Sequence, residues 1–231
     1  MVSAIVVAAG KGERLAQKEE KPFVKLGNQP IIFYSLNLFE KIPEVSSVIL
    51  VVSEGRLSEA AALLSSGKFK KVKEVVSGGS SRQESVIRGL SVLELSAEVV
   101  LIHDGARPLV STKKVKELIA AGREIAVIPA LPVSDTLKEV EKGYVLRTPE
   151  RKIFYAAQTP QAFPREVILT AYQMARRSGF IATDDASVVE AAGFPVKIIE
   201  GERTNIKITY PEDLILAESI LKIAEDHGLS D

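Results

Sequence analysis

The residues best equipped for chemistry in this sequence are cations set beside glycines. Ala8-Ala9-Gly10-Lys11-Gly12-Glu13-Arg14, with Lys21-Pro22 a little further on, joins the end of an apolar run to two glycines and several basic side chains. Glycine lets backbone amides approach an anion closely, and lysine and arginine neutralise several phosphate oxygens at once. The chemistry this suggests is the gripping of a nucleotide triphosphate. Leu15 stands where a dinucleotide fingerprint needs its third glycine or alanine, and no Gly-Lys-Ser/Thr closes a P-loop. Taken alone, the segment also reads as an ordinary turn with solvent-exposed charges.

Three further groups carry polar chemistry. His103-Asp104-Gly105-Ala106-Arg107-Pro108 follows an apolar strand-like run and so stands at its carboxyl end. The Asp104 carboxylate suits a divalent cation bridging phosphates, and Arg107 can fork onto a phosphate. An Asp-Gly turn in which Arg107 pairs with Asp104 fits equally well, and His103, with no metal-ligand spacing near it, reads as packed. Ser77-Gly78-Gly79-Ser80-Ser81, leading through Arg82 to Ser85, offers amides and hydroxyls to a planar base, or is a loop and helix cap. The last group is Thr159-Pro160-Gln161, Thr183-Asp184-Asp185 and Asn205-Ile206-Lys207. Its paired aspartates most simply cap the helix that follows. Lys207 falls in an alternating, strand-like stretch that points it to solvent, and Arg147 and Arg151 read as surface charges.

The elements positioning these groups follow from hydrophobic periodicity. Continuous apolar runs at residues 4–9, 48–52, 99–103 and 125–129 predict strands buried on both faces, as in parallel sheets. Helix-like patterns at 30–39, 57–64, 85–95 and 113–121 alternate with them. The expected fold is α/β, an open and mostly parallel sheet with ligands outside the carboxyl ends of its strands. Thr136–Val140 and Tyr144–Arg147 flank Glu141-Lys142-Gly143 and predict a β-hairpin, an arm over about residues 132–155. A lone hairpin is marginal in water, so it is expected to pack on a second copy of the chain. Helices at 164–177 and 186–192, a strand at 195–200 and a helix at 211–224 complete one expected domain over residues 1–231.

With 231 residues, 46% hydrophobic, the chain can bury a full core. Thirty basic and thirty acidic residues cancel, so nothing global favours nucleic acid or an anionic membrane as partner. The absence of cysteine excludes thiol catalysis and thiolate zinc sites. No basic leader precedes the first strand, and no apolar run approaches the roughly 20 residues of a membrane span, so a cytoplasmic protein is expected.

AAGKGERL with its Lys-Pro pair, SGGSSRQESV, HDGARP, PVSDT, TPER with AQTPQAF, TDDAS, and NIKIT with PEDL occur in this order along nearly the whole chain. Together they resemble the 2-C-methyl-D-erythritol 4-phosphate cytidylyltransferases of the non-mevalonate isoprenoid pathway. The resemblance implies a Rossmann-like fold of the nucleotide-diphospho-sugar transferase type, with a protruding hairpin arm that joins a homodimer. It further implies Mg²⁺-dependent reaction of CTP with a polyol phosphate. By position, Arg14 and Lys21 look like triphosphate grips beside Ala8, Ala9, Gly10 and Gly12, and Gly79, Ser80 and Ser85 like the cytosine-side loop. Asp104, the implied Mg²⁺ ligand, and Arg107 look like residues near the metal and sugar phosphate. Thr159, Thr183 and Lys207 look like acceptor contacts, and Thr136 and Arg151 like contacts donated to the partner subunit. Leu15, Gly105 and Pro22-Phe23-Val24 depart from the family's usual residues beside the site. The competing expectations are a ribitol 5-phosphate cytidylyltransferase, a non-catalytic nucleotide-binding module and, against the failed third glycine, a dehydrogenase.

Overall fold

A computed structural model describes residues 1–10 and 23–226 of the chain. Gly12, Arg14 and Lys21 of the expected triphosphate grip therefore lie outside the described residues. In chain order the elements are β1 (Val2–Ala8), β2 (Lys25–Leu26), β3 (Gln29–Pro30), α1 (Ile31–Lys41), β4 (Val45–Val52), α2 (Leu57–Ser65), β5 (Val72–Ser77), α3 (Arg82–Ser91), β6 (Val99–Asp104), α4 (Thr112–Gly122) and β7 (Ala126–Pro132). There follow β8 (Glu139–Glu141), β9 (Tyr144–Arg147), β10 (Tyr155–Ala157), β11 (Gln161–Pro164), α5 (Arg165–Ser178), α6 (Asp185–Ala191), β12 (Val196–Glu200) and α7 (Pro211–Asp226).

The main sheet has eight strands. β5, β4, β1 and β6 lie side by side and parallel, and β12 runs parallel to β7 at the far end. Antiparallel β11 fits between β6 and β7, and antiparallel β10 extends β7 beside it. The expected mostly parallel α/β sheet is thus present, with two reversed strands the periodicity had not shown.

The continuous apolar strands are explained by the layers. Ala4, Val6 and Ala8 of β1, Val48, Leu50 and Val52 of β4, and Leu101 of β6 meet α1 and α4 on one face. Ile5, Ile49, Val51, Val100 and Ile102 face the opposite way and pack on Val86 and Leu90 of α3 and on Ile168, Tyr172 and Val188 of α5 and α6. Every second residue serves one layer, so both sets must be apolar. Helix α3 comes so close to the sheet that a Cβ on Gly89 would lie 2.7 Å from Ile5 Cγ2.

The chain reverses its direction of travel across the sheet at β1. From there it moves outward to β4 and β5, then returns to form β6 on the other side. At such a switch point the carboxyl ends of adjacent strands open a crevice. The register sets Val7 beside Asp104, so the end of β1 and the start of the His103–Pro108 loop form its walls. The stretch between β7 and β10 leaves the sheet, and within it β8 and β9 pair as the expected hairpin, with Lys142 and Gly143 at positive φ in its turn.

Residues 205–209 are not a strand, contrary to the alternation of their sequence. Ile208 donates its backbone N–H to Ala106 O at 2.9 Å and buries its side chain with Ile31 and Ala217. Asn205 and Ile208 are both buried and Ile206 packs partly buried in the same cluster as Ile208, so the alternation reflects these separate contacts and not the two faces of a strand.

Candidate active site

Asp104, the last residue of β6, is the centre of the crevice. Its backbone N–H donates to Thr159 Oγ1 at 3.0 Å. Its side chain meets two cations: Arg82 Nε at 2.9 Å from Oδ1 and Lys207 Nζ at 2.7 Å from Oδ2. Burial acts to raise the Asp104 pKa, but Arg82 and then Lys207 outweigh it and hold the carboxyl well below the usual carboxylate range. The carboxyl is therefore ionised at neutral pH.

Two expectations change here. Arg107 does not pair with Asp104. Its Nη1 donates to Asn205 O at 2.8 Å and its Nη2 to Ala157 O at 3.3 Å, so backbone carbonyls anchor the fork at the cleft wall. Lys207, expected to face solvent, turns back onto Asp104 instead. Asn205 helps to set this loop, donating to Thr159 O at 2.9 Å.

His103 is fully buried, as its reading as a packed residue requires. Its Nε2 lies 3.1 Å from Arg107 O, a carbonyl that can only accept, so that nitrogen carries the proton. Nδ1 then accepts from the Thr159 hydroxyl at 3.1 Å, while the same hydroxyl accepts from Asp104 N. Burial pushes the His103 pKa down to about 4, and the neutral ring is a spacer that fixes Thr159 and the Arg107 loop.

A cavity of about 320 Å³ opens over these groups, lined by Arg82, Asp104, Arg107, Thr159, Thr183 and Lys207 among others. Three cations against two carboxylates, Asp104 and Asp184, leave an excess of positive charge on this lining that suits an anionic group. Of the expected acceptor contacts, Asp104, Arg107, Thr159, Thr183 and Lys207 all line it.

The residues expected on the nucleotide side come from the end of β1 and the loop after β5. Ala8 is buried at the end of β1, with Ala9 and Gly10 following it into the crevice. Gly78 sits so close to β1 that a Cβ there would be 2.2 Å from Ala9 Cβ. The loop after β5 is closed on itself: Gly79 N donates to Ser85 Oγ at 3.0 Å, and Ser80 donates through both its N and Oγ to Glu84 Oε2 at 2.7 Å. Ser81 caps α3 by accepting from Glu84 N at 3.1 Å. Thr136 and Arg151 are exposed on the arm and its following turn, with Arg151 Nη1 bonded to Ser134 O. They are not among the residues lining the cavity of their own chain.

Sequence reasoning missed Arg82. It falls in the loop-and-cap segment ahead of the expected helix, and nothing local marks it, because its partners Asp104 and Asp185 are 22 and 103 residues away. Asp184 fulfils the capping expectation, accepting from Ser187 N at 3.0 Å in a full capping box. Asp185 instead points inward.

An open, mostly parallel sheet, a cationic crevice at its switch point and one ionised aspartate beneath it define a nucleotide-binding α/β protein built for phosphate-group chemistry. The chain belongs to the 2-C-methyl-D-erythritol 4-phosphate cytidylyltransferase family, whose model matches residues 2–223. A family member from Shouchella clausii is 46% identical, with 97% of this chain and 98% of that protein covered. One from Alkaliphilus metalliredigens is 45% identical over 97% and 95%. Among solved structures, the 4-diphosphocytidyl-2C-methyl-D-erythritol synthase of Anaerococcus prevotii superposes with a TM-score of 0.84 at 34% identity, covering 96% of each chain. The Thermus thermophilus cytidylyltransferase gives 0.78 at 34% identity over 95% of this chain and 98% of that one.

Proposed function

We propose that the chain transfers CMP from CTP to 2-C-methyl-D-erythritol 4-phosphate, a step of isoprenoid precursor synthesis carried out in the cytoplasm. An acceptor phosphate oxygen forms a bond to the α-phosphorus of CTP. The bond from that phosphorus to the β-phosphate bridge breaks, and pyrophosphate leaves. The nucleophile is a phosphate monoester, ionised at neutral pH, so no general base is needed. The task is to hold two anions together and compensate the charge on phosphorus. What carries this reading is the gathering of Arg82, Arg107 and Lys207 around ionised Asp104 at the switch point, within a chain of this family.

In this reading Lys207, Arg107, Thr159 and Thr183 receive the acceptor phosphate and polyol. Gly79, Ser80 and Ser85 face the cytosine once their internal hydrogen bonds open to it, and Ala8, Ala9 and Gly10 line the path of the phosphates. Gly12, Arg14 and Lys21, outside the described residues, supply the triphosphate grip. Asp104 would hold Mg²⁺ through Oδ2, the oxygen it now shares with Lys207, once that lysine turns to a phosphate. Among the described residues there is no cluster of three or more acidic or histidine ligands, and Mg²⁺ is commonly held by one or two carboxylates together with substrate phosphates. When bound, it would neutralise phosphate charge. The β8–β9 arm joins two subunits, bringing Thr136 and Arg151 to the partner's cleft.

The test is pyrophosphate release from CTP with Mg²⁺ and each of two acceptors, methylerythritol phosphate and ribitol 5-phosphate. Faster turnover of the methylerythritol ester is expected. Faster turnover of the ribitol ester would reassign the acceptor, and no release with either would leave a nucleotide-binding module.

A further inference from the structure

Two buried groups behind the cleft, Asp185 and Tyr172, have no part in the roles above. Asp185, the first residue of α6, is fully buried. Its Oδ1 accepts from the Tyr172 hydroxyl of α5 at 2.6 Å, and its Oδ2 accepts from Arg82 Nη2 at 2.7 Å. The same guanidinium, at the start of α3, donates through Nε to Asp104 Oδ1 at 2.9 Å. One arginine therefore joins a closed, dry carboxylate in the helical layer to the open carboxylate on the cleft wall.

We propose that Arg82, locked in place by Asp185, is a positioning residue for Asp104. The Asp104 backbone is already fixed by Thr159, but that bond leaves the carboxyl free to rotate. Tying Oδ1 to a guanidinium anchored on three helices removes that freedom and leaves Oδ2 turned to Lys207 and the cleft. Only arginine suits the task, because its planar fork spans two carboxylates at fixed spacing, whereas an ammonium is a single point charge. Neutralising Asp185 alone would not require the contact to Asp104. Misplacement of a reacting group by about 1 Å can cost on the order of 10²-fold in rate, which makes such a support worth its buried charges.

This inference rests on the reading of the Asp104 cleft as the reacting site, and the experiment separates the two. Arg82→Gln, Asp185→Asn and the double variant are compared with the wild type by thermal unfolding, by kcat and KM for CTP and acceptor, and by Mn²⁺ binding with CTP and no acceptor, followed by electron paramagnetic resonance. Each single variant is expected to melt lower, and the double, carrying neither charge, to recover much of that loss. Turnover is expected to stay at least about tenfold low in Arg82→Gln and in the double, with Mn²⁺ held more weakly in both. Arg82→Lys is expected to regain only part of kcat.

If Arg82 serves only to neutralise Asp185, the double variant recovers turnover along with stability, and the proposal fails. It fails equally if folded Arg82→Gln keeps wild-type turnover and Mn²⁺ affinity. Should Arg82→Gln not fold, the double variant and Arg82→Lys decide by the same measurements. A wild-type protein inert with CTP and either acceptor would overturn the functional reading alone, leaving Mn²⁺ binding to decide the role of Arg82.

Discussion

Tyr172 shows how a single buried group reports on the network around it. Burial, then the negative charge of Asp185, raises its pKa well above the ordinary tyrosine value of about 10, with Asp184 adding to the effect and Arg82 opposing it. The folded chain therefore keeps a proton that the unfolded chain releases above about pH 10. Fewer protons on the unfolded state mean that stability falls as pH rises through that range, and that the contribution is complete below it. Tyr172→Phe is expected to cost about 1–3 kcal/mol at neutral pH, because Asp185 loses its donor. The same variant should lose less further stability than the wild type between neutral pH and about pH 10.5. Urea unfolding at a series of pH values checks both. Parallel curves for the two proteins would show that the phenol is not the group whose proton is retained.

At the scale of elements, the segment Ser77–Ser85 couples sheet geometry to the loop proposed to take the cytosine. Gly78 N donates to Val52 O at 2.7 Å, so the loop leaves β5 pressed against β4 and the end of β1. Because an added Cβ would fall 2.2 Å from Ala9 Cβ and 2.9 Å from Ser85 Oγ, Gly78→Ala must push the loop away from β1. The expected result is a rise in KM for CTP of about tenfold, with a smaller change in KM for the acceptor, measured by steady-state kinetics. Equal changes in both would place the loop's influence elsewhere.

How legible each element was depends on its surroundings. β1, β4, β6 and β7 are buried on both faces and announce themselves as apolar runs. β5 lies at the sheet edge, and its Lys73-Glu74 pair breaks the run, so it went unread. β11, written Gln161-Ala162-Phe163-Pro164, is buried, yet Gln161 serves the cap of α6 by donating to Asp184 Oδ2 and accepting from Ala186 N. Its polarity is spent on a partner too distant in sequence for periodicity to reveal. The same separation hid Arg82, whereas Asp104 was legible because the end of a buried strand is a position with local signals.

For the whole molecule, the arm poses the remaining question of assembly. β8 and β9 are exposed along their length, and Val140, Tyr144, Val145 and Leu146 are each more than half exposed, with Ile153 at 75% on the turn that follows. Apolar side chains on a bare two-stranded hairpin cannot hold it in water, and a twofold interface between copies would cover them. Tyr144→Glu with Val145→Asp should yield monomers by light scattering, with turnover reduced. Activity undiminished in a monomer would remove the arm from the site. The stricter test mixes two variants that are each expected to be nearly inactive, Arg151→Ala on the arm and Lys207→Ala in the cleft. If the arm of one subunit completes the other's cleft, each mixed dimer contains one intact site and one doubly defective site. Random reassociation makes about half the dimers mixed, so about a quarter of wild-type turnover should return. If Arg151 instead acts within its own chain, every site keeps one lesion and mixing restores nothing.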